Sequence, residues 1–127
     1  MKLITEETPK KTVFPGRIVY KCVGKDAVSK SDKMTMGYAK YCEEVGPMEP
    51  HHHAEELIYV VEAKDAWVRF GEAKDELGDK HMLEPGMILH FEELEWHVFE
   101  YNSGGFLDVL YFYGQTENIR PEEISAV

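Results

Sequence analysis

The chain has 127 residues, 43% of them apolar, and 14 Lys plus Arg against 24 Asp plus Glu give a formal net charge of -10. This is the length and composition of one globular domain (1-127) with its own core rather than a disordered chain, and the negative field repels phosphate backbones, so no nucleic-acid partner is expected. No apolar stretch reaches the length of a membrane span and Met1 to Glu7 lacks a signal-peptide core, so no membrane partner is expected and a cytoplasmic location is.

In chain order, residues 1-12 are polar and charged and read as an N-terminal arm. Arg17 to Val23 alternates as a strand, and Ser29 to Asp32 reads as a turn. Lys33 to Cys42 places Met34, Met36, Tyr38 and Cys42 at even positions, the period of a strand. Gly46 to Pro50 breaks it. Leu57 to Ala63 and Ala66 to Gly71 follow as strands, then a charged connection, Glu72 to Lys80. His81 to Glu84, Met87 to Phe91 and Trp96 to Tyr101 are short strands. Gly104-Gly105 is expected to turn the chain into a long last strand, Phe106 to Tyr113. Only Arg120 to Ile124 has helix-start chemistry, a proline in the first turn followed by acids. Cys22 and Cys42 fall in separate strands with no C-x-x-C pair and read as reduced thiols. Many short strands with turn signals between them imply an all-β antiparallel sandwich or barrel, and a small barrel can hold a ligand in its mouth.

The chemistry concentrates at His51-His52-His53, followed by Glu55-Glu56 and the apolar run Leu57 to Val61. Imidazoles and a carboxylate at the mouth of a strand suit a small divalent metal. The run is internal and short, unlike a purification tag. A second piece, Pro85-Gly86 and then Trp96-His97-Val98-Phe99, lies further on. The wall of such a barrel is expected to use Met34, Met36, Tyr38, Tyr59, Trp67, Phe99, Phe106, Tyr111, Phe112 and Tyr113. Asp108 is the one acid in an apolar last strand; it either pairs with a partner or faces a cavity. Tyr59 and Tyr113 could each offer a phenol to orient a substrate, so the catalytic candidates are Tyr59, Asp108 and Tyr113.

Two motifs resemble those of the cupin superfamily, small single-domain members in particular. The first is Gly46, a four-residue spacer, His51-His52-His53, Glu56, six residues and then Ala63 where the family has Gly. The second is Pro85-Gly86, a strand, His97 eleven residues after that glycine, and Asn102. The resemblance covers residues 35-115. It implies an antiparallel double-stranded β-helix, or jelly-roll barrel, and a divalent transition metal: iron, manganese, nickel, cobalt or zinc. It further implies a small-molecule ligand, a sugar or carbonyl metabolite among the options, and a homodimer. Two residues separate His53 from Glu56, one fewer than the family pattern. Because side chains alternate along a strand, two registers compete. In one, His51, His53 and His97 bind with Glu56 brought round by a bulge, or with Glu55 in its place. In the other, His52 and Glu56 bind and Pro50 stands at the first histidine position. The first keeps both imidazoles together with His97, giving the metal set His51, His53, Glu56 and His97. His90 is expected to face solvent or a dimer interface. As an enzyme such a protein would be a metal-dependent isomerase, lyase or dioxygenase; the alternatives are a non-catalytic metabolite sensor or a barrel with a vestigial site.

Overall fold

The structure is a computed structural model, and it describes residues 1–120. Of the helix start expected at Arg120 to Ile124, all but Arg120 lies outside the described residues. Nearly all regular structure is antiparallel β: β1 (Lys11–Phe14), β2 (Arg17–Gly24), β3 (Ser29–Lys30), β4 (Thr35–Cys42), β5 (Glu56–Gly71), β6 (His81–Met82), β7 (Ile88–Phe91) and β8 (Trp96–Tyr113), with a short 3-10 turn at Glu43–Val45. The sheet order is β1-β2-β4-β8-β5-β6, with β7 also on β5 and β3 beside β2 in parallel. Among the described residues no helix is long and apolar enough to cross a membrane.

The sheet begins at Lys11, inside the stretch expected to be an arm. The larger difference lies at the far end. Gly104-Gly105 does not separate two strands; it bends one. β8 runs unbroken through it, and β5 likewise joins the two strands expected at Leu57 to Ala63 and Ala66 to Gly71. The pairing jumps from Lys64↔Phe106 to Ala66↔Tyr101, so four residues of β8 bulge against one of β5. Gly104 takes φ +80, and a Cβ on Gly105 would lie 2.6 Å from the Lys64 carbonyl oxygen. Glycine therefore serves here for close backbone approach at a bulge, which curves the long hairpin into a roll.

The first half of β5 pairs with β7 and the second half with β6, so the hairpin passes from one side of the roll to the other. A lone bridge, His51↔His97, ties the segment before β5 to the start of β8. The core fills the inside: Ile58 and Val60 from β5 and Leu107 and Val109 from β8 are essentially inaccessible, packed with Ala66, Val68, Phe91 and Phe99. Alternation places their neighbours Leu57, Tyr59 and Val61 outside, 41–47% exposed.

Strand β4 has the expected period but the opposite orientation. Gly37, Ala39 and Tyr41 point inward, while Met36 and Tyr38 lie outside, Tyr38 stacked on Tyr20 and donating to the Glu6 carbonyl. Met34, Tyr59, Phe106 and Phe112 are also off the cavity wall, and Trp67 lines a separate hollow under Lys80. Both faces of β4 are apolar, so alternation alone does not say which is inner. The inner side carries Gly37 and Ala39, whose small size leaves space beside the buried Tyr41.

Candidate metal centre

That space is a cavity of about 910 Å³. Val19, Ala39, Tyr41 and Phe99 belong to both the core and the cavity wall, so the top of the core is the cavity floor.

Three histidines converge on it. His51 is held by the bridge to His97, N–H to carbonyl in both directions at 3.0 and 2.9 Å. His97 is fully buried and stacks on Phe91, ring centroids 3.9 Å apart. His53 follows in a stretch outside the ladder: its carbonyl accepts from Leu94 N–H at 2.8 Å, and the next residue, buried Ala54, donates its N–H to the Ile119 carbonyl. The chain bends there before β5 opens at Glu56. Strict alternation therefore does not carry from 53 to 56, and His51, His53 and Glu56 come to the same side. His52 turns away and stacks on Trp96 at 4.0 Å, and Glu55 turns out to meet His90 at 2.6 Å.

One coordinating atom from each of His51, His53 and His97 lies within 4.8 Å of the other two. Each ring gives Nδ1 to a backbone carbonyl: His51 to Glu49 at 3.3 Å, His53 to Ala54 at 2.9 Å, His97 to Glu95 at 2.9 Å. A carbonyl only accepts, so Nδ1 carries the proton and Nε2 presents its lone pair. Glu56 closes the group, Oε1 being 3.5 Å from His53 Nε2 and 4.0 Å from His97 Nε2. His97 Nε2 is buried without a hydrogen-bond partner among the described residues.

Burial sets the charge states. It pushes His51 down to about 2, His53 to about 4 and His97 to about 3, the neighbouring imidazoles adding to the effect on His51 and His97. It lifts Glu56 to about 7, against a hydrogen bond from the Tyr113 hydroxyl that favours the carboxylate. Tyr113, also buried, is held well above the ordinary phenol value. At neutral pH the cluster is thus three neutral imidazoles and a carboxyl group poised between its two forms. Acceptors aimed at one point repel one another unless a proton or a cation lies between them. The donor set and the orphaned His97 Nε2 fit a metal ion, which this cluster can hold.

Among the catalytic candidates, Tyr113 joins this group. Tyr59 does not, being on the outer face. Asp108 is also outside, between Lys40 and Glu62 in register, and half-burial raises its carboxyl while Lys40 draws it down. Two residues of the wall were not singled out from the sequence as chemistry. Tyr111, whose phenol burial pushes up to about 12, lies opposite Gly37, where a Cβ would stand 2.5 Å from the hydroxyl and collide with the Tyr20 carbonyl. The glycine admits the tyrosine. Arg17 lines the cavity from β2; its signal was the alternation Arg17, Val19, Lys21, Val23, which puts two cations on one face.

No family model matches the chain, and no curated protein matches it. Solved structures do. The polyketide cyclase RemF from Streptomyces resistomycificus is similar at TM-score 0.66 and 21% identity, over 88% of this chain and 78% of that one. KdgF from Halomonas sp. is similar at 0.64 and 17%, over 92% and 96%. The iron(II) form of HppE is similar at 0.63 and 12%, over 88% and 59%, so the chain spans little more than half of that protein. These are cupin barrels, and this chain shares their fold.

Proposed function

We propose that His51, His53, His97 and Glu56 hold one divalent transition metal (iron, manganese, nickel, cobalt or zinc), and that the protein is a metal-dependent enzyme acting on a small polar organic molecule in the cavity. The observation that carries this is the shared tautomer. Three Nδ1 atoms are committed to carbonyls, so three Nε2 lone pairs face one point, and one of them has no protein partner. Such outer hydrogen bonds are what orient and strengthen imidazole ligands.

A bound metal would polarise a carbonyl or hydroxyl oxygen, acidify water or, if redox-active, activate oxygen, which is the chemistry of an isomerase, lyase or dioxygenase. The chain's own residues do the rest. Tyr113 holds Glu56 in place through its hydroxyl. Tyr111, neutral across the physiological range, can donate to a substrate oxygen. Val19, Ala39 and Phe99 form the apolar floor, and the cavity volume suits a metabolite rather than a polymer.

The protein acts as a homodimer in this reading. Leu57, Tyr59, Ile88 and Phe112 are exposed and adjacent in register on the outer sheet face. This patch is apolar, with the Glu55–His90 pair and Asp108 beside it, so a second copy approaching it gains apolar burial.

Metal analysis of untagged protein tests the centre. About one metal per chain is expected, with nitrogen ligands at ~2.0–2.2 Å by X-ray absorption. His97→Ala should reduce the content toward zero. Wild-type content in that variant overturns the assignment, and a metal-free wild type that still binds metabolites favours a sensor.

A further inference from the structure

Strand β2 sends Arg17 and Lys21 to the cavity wall. In a chain with 24 acidic residues, a cation near carboxylates is normally paired. Lys25 is paired with Glu117 and Lys74 with Glu49 at 4.0 Å, while Lys21 is exposed and has no ion pair among the described residues. Arg17 has neither an ion pair nor a hydrogen bond to an acceptor among the described residues. Its guanidinium lies 5.3 Å from the ring centroid of Phe14, which shares the same wall. Stacking on a ring occupies the face of the guanidinium and leaves its N–H edges available. Its charge also reaches the cluster, favouring the anionic form of Glu56 and disfavouring protonation of His51 and His53.

We propose that Arg17 is the carboxylate dock of this cavity, so that the ligand is a small organic acid with its acid group on the guanidinium and a hydroxyl or carbonyl oxygen directed at the imidazole cluster. The second of those contacts rests on the metal reading; the first does not. A guanidinium edge matches a carboxylate with two parallel hydrogen bonds. A neutral ligand would leave the Arg17 edge unpaired within the cavity. A phosphate dianion would bring twice the charge of a carboxylate toward Glu49, Asp26 and Glu56, which line the same cavity. A monocarboxylate meets less of that repulsion and fits the single guanidinium edge. The overall negative field, which discourages anions elsewhere on the surface, makes the Arg17 position the place where one is accepted.

The experiment is calorimetric titration of the untagged full chain with pyruvate and glycolate, each beside its methyl ester, and with inorganic phosphate. Wild type should bind the acid at least ~10-fold tighter than the ester. Arg17→Gln should bring the two within about twofold while metal content and unfolding midpoint stay at wild-type values. Arg17→Lys, which keeps the charge but loses the fork, should reduce the preference by about threefold, and it decides the matter if the glutamine variant does not fold. Equal binding of acid and ester by wild type, an undiminished preference in Arg17→Gln or, where that variant fails, in Arg17→Lys, or binding of phosphate in place of the carboxylates overturns the proposal. Chelator-stripped wild type separates the two readings. A retained acid preference with unchanged affinity leaves Arg17 standing and removes the metal. A preference that disappears on stripping assigns selection to the metal and overturns Arg17.

Discussion

The two faces of the β5–β8 hairpin use similar residues for opposite purposes. Inward, Ile58, Val60, Leu107 and Val109 are sealed, and the same face continues into Glu56 and Tyr113. Outward, Leu57, Tyr59 and Phe112 are 37–47% exposed, and the same face carries Asp108 half-buried between register partners. Hydrophobicity does not separate the faces. What separates them is what they meet: the inner face packs into one core with Ala66, Val68, Leu83, Phe91 and Phe99, and the outer face meets solvent. A polar group on the inner face therefore loses its water and must find a partner, which is why the perturbed groups Glu56, Tyr113, His53 and His97 gather there.

The comparison breaks most visibly by truncation. Leu107→Ala should cost about 2–5 kcal/mol in urea denaturation, because its cavity opens in a sealed core. Phe112→Ala, on the other side of the same strand, should cost less than about 1 kcal/mol at concentrations where the chain is monomeric. Equal losses would mean that the outer face is as tightly packed as the inner.

Acid sharpens it next. The three imidazoles have folded values below the unfolded 6.5, so below pH 6.5 the unfolded chain takes up protons that the folded chain refuses, and stability falls with pH. Glu56 acts in the other direction. Its folded value of about 7 exceeds the unfolded 4.5, so the stability it contributes is lost as pH rises from 4.5 to 7 and regained on the way down. Three groups outweigh one, and metal-free protein should lose on the order of 3 kcal/mol between pH 7 and 5. A denaturation midpoint that does not move over that range would show that the histidines are not buried and neutral.

Tyr113→Phe removes the hydroxyl that steadies Glu56 and keeps the ring. Metal affinity should fall by about 10–100-fold, the usual effect of losing such a support, with little change in fold. Unchanged affinity would mean that Glu56 needs no orienting partner. The smallest effect on the chain itself belongs to the outer face. Tyr59→Lys should leave the unfolding midpoint of dilute protein within about 0.5 kcal/mol of wild type while sedimentation shifts from dimer to monomer. A wild type that sediments as a monomer at micromolar concentration removes the dimer.

Much of this was legible in the residues. Period-two patterns located β2 and β4, because alternation is imposed by the backbone itself, and short apolar runs between turn signals located β7 and both halves of β5 and β8. The fold class followed from turn spacing and from the two cupin-like motifs. Three things were not legible. Whether a glycine pair turns a chain or bends it depends on the partner strand, and at Gly104-Gly105 that partner is Lys64, far away in sequence. Which face of β4 is inner is not set by alternation where both faces are apolar, so the conspicuous Met36 and Tyr38 pointed the wrong way. And the convergence of His51, His53 and Glu56 depends on a non-strand bend fixed by Ile119 and Leu94, contacts that no local spacing encodes.

The paired hydrogen bonds between His51 and His97 have a kinetic consequence. They form an isolated rung of a ladder, joining residues on either side of the β5–β7 excursion. An ion coordinated by both side chains would span that rung a second time, so fraying of the rung would cost more when the ion is seated than when it is absent. Hydrogen exchange of the two amide protons, His51 N–H and His97 N–H, should then slow when a divalent metal is added to stripped protein, and an unchanged rate would show that the rung is independent of the ion.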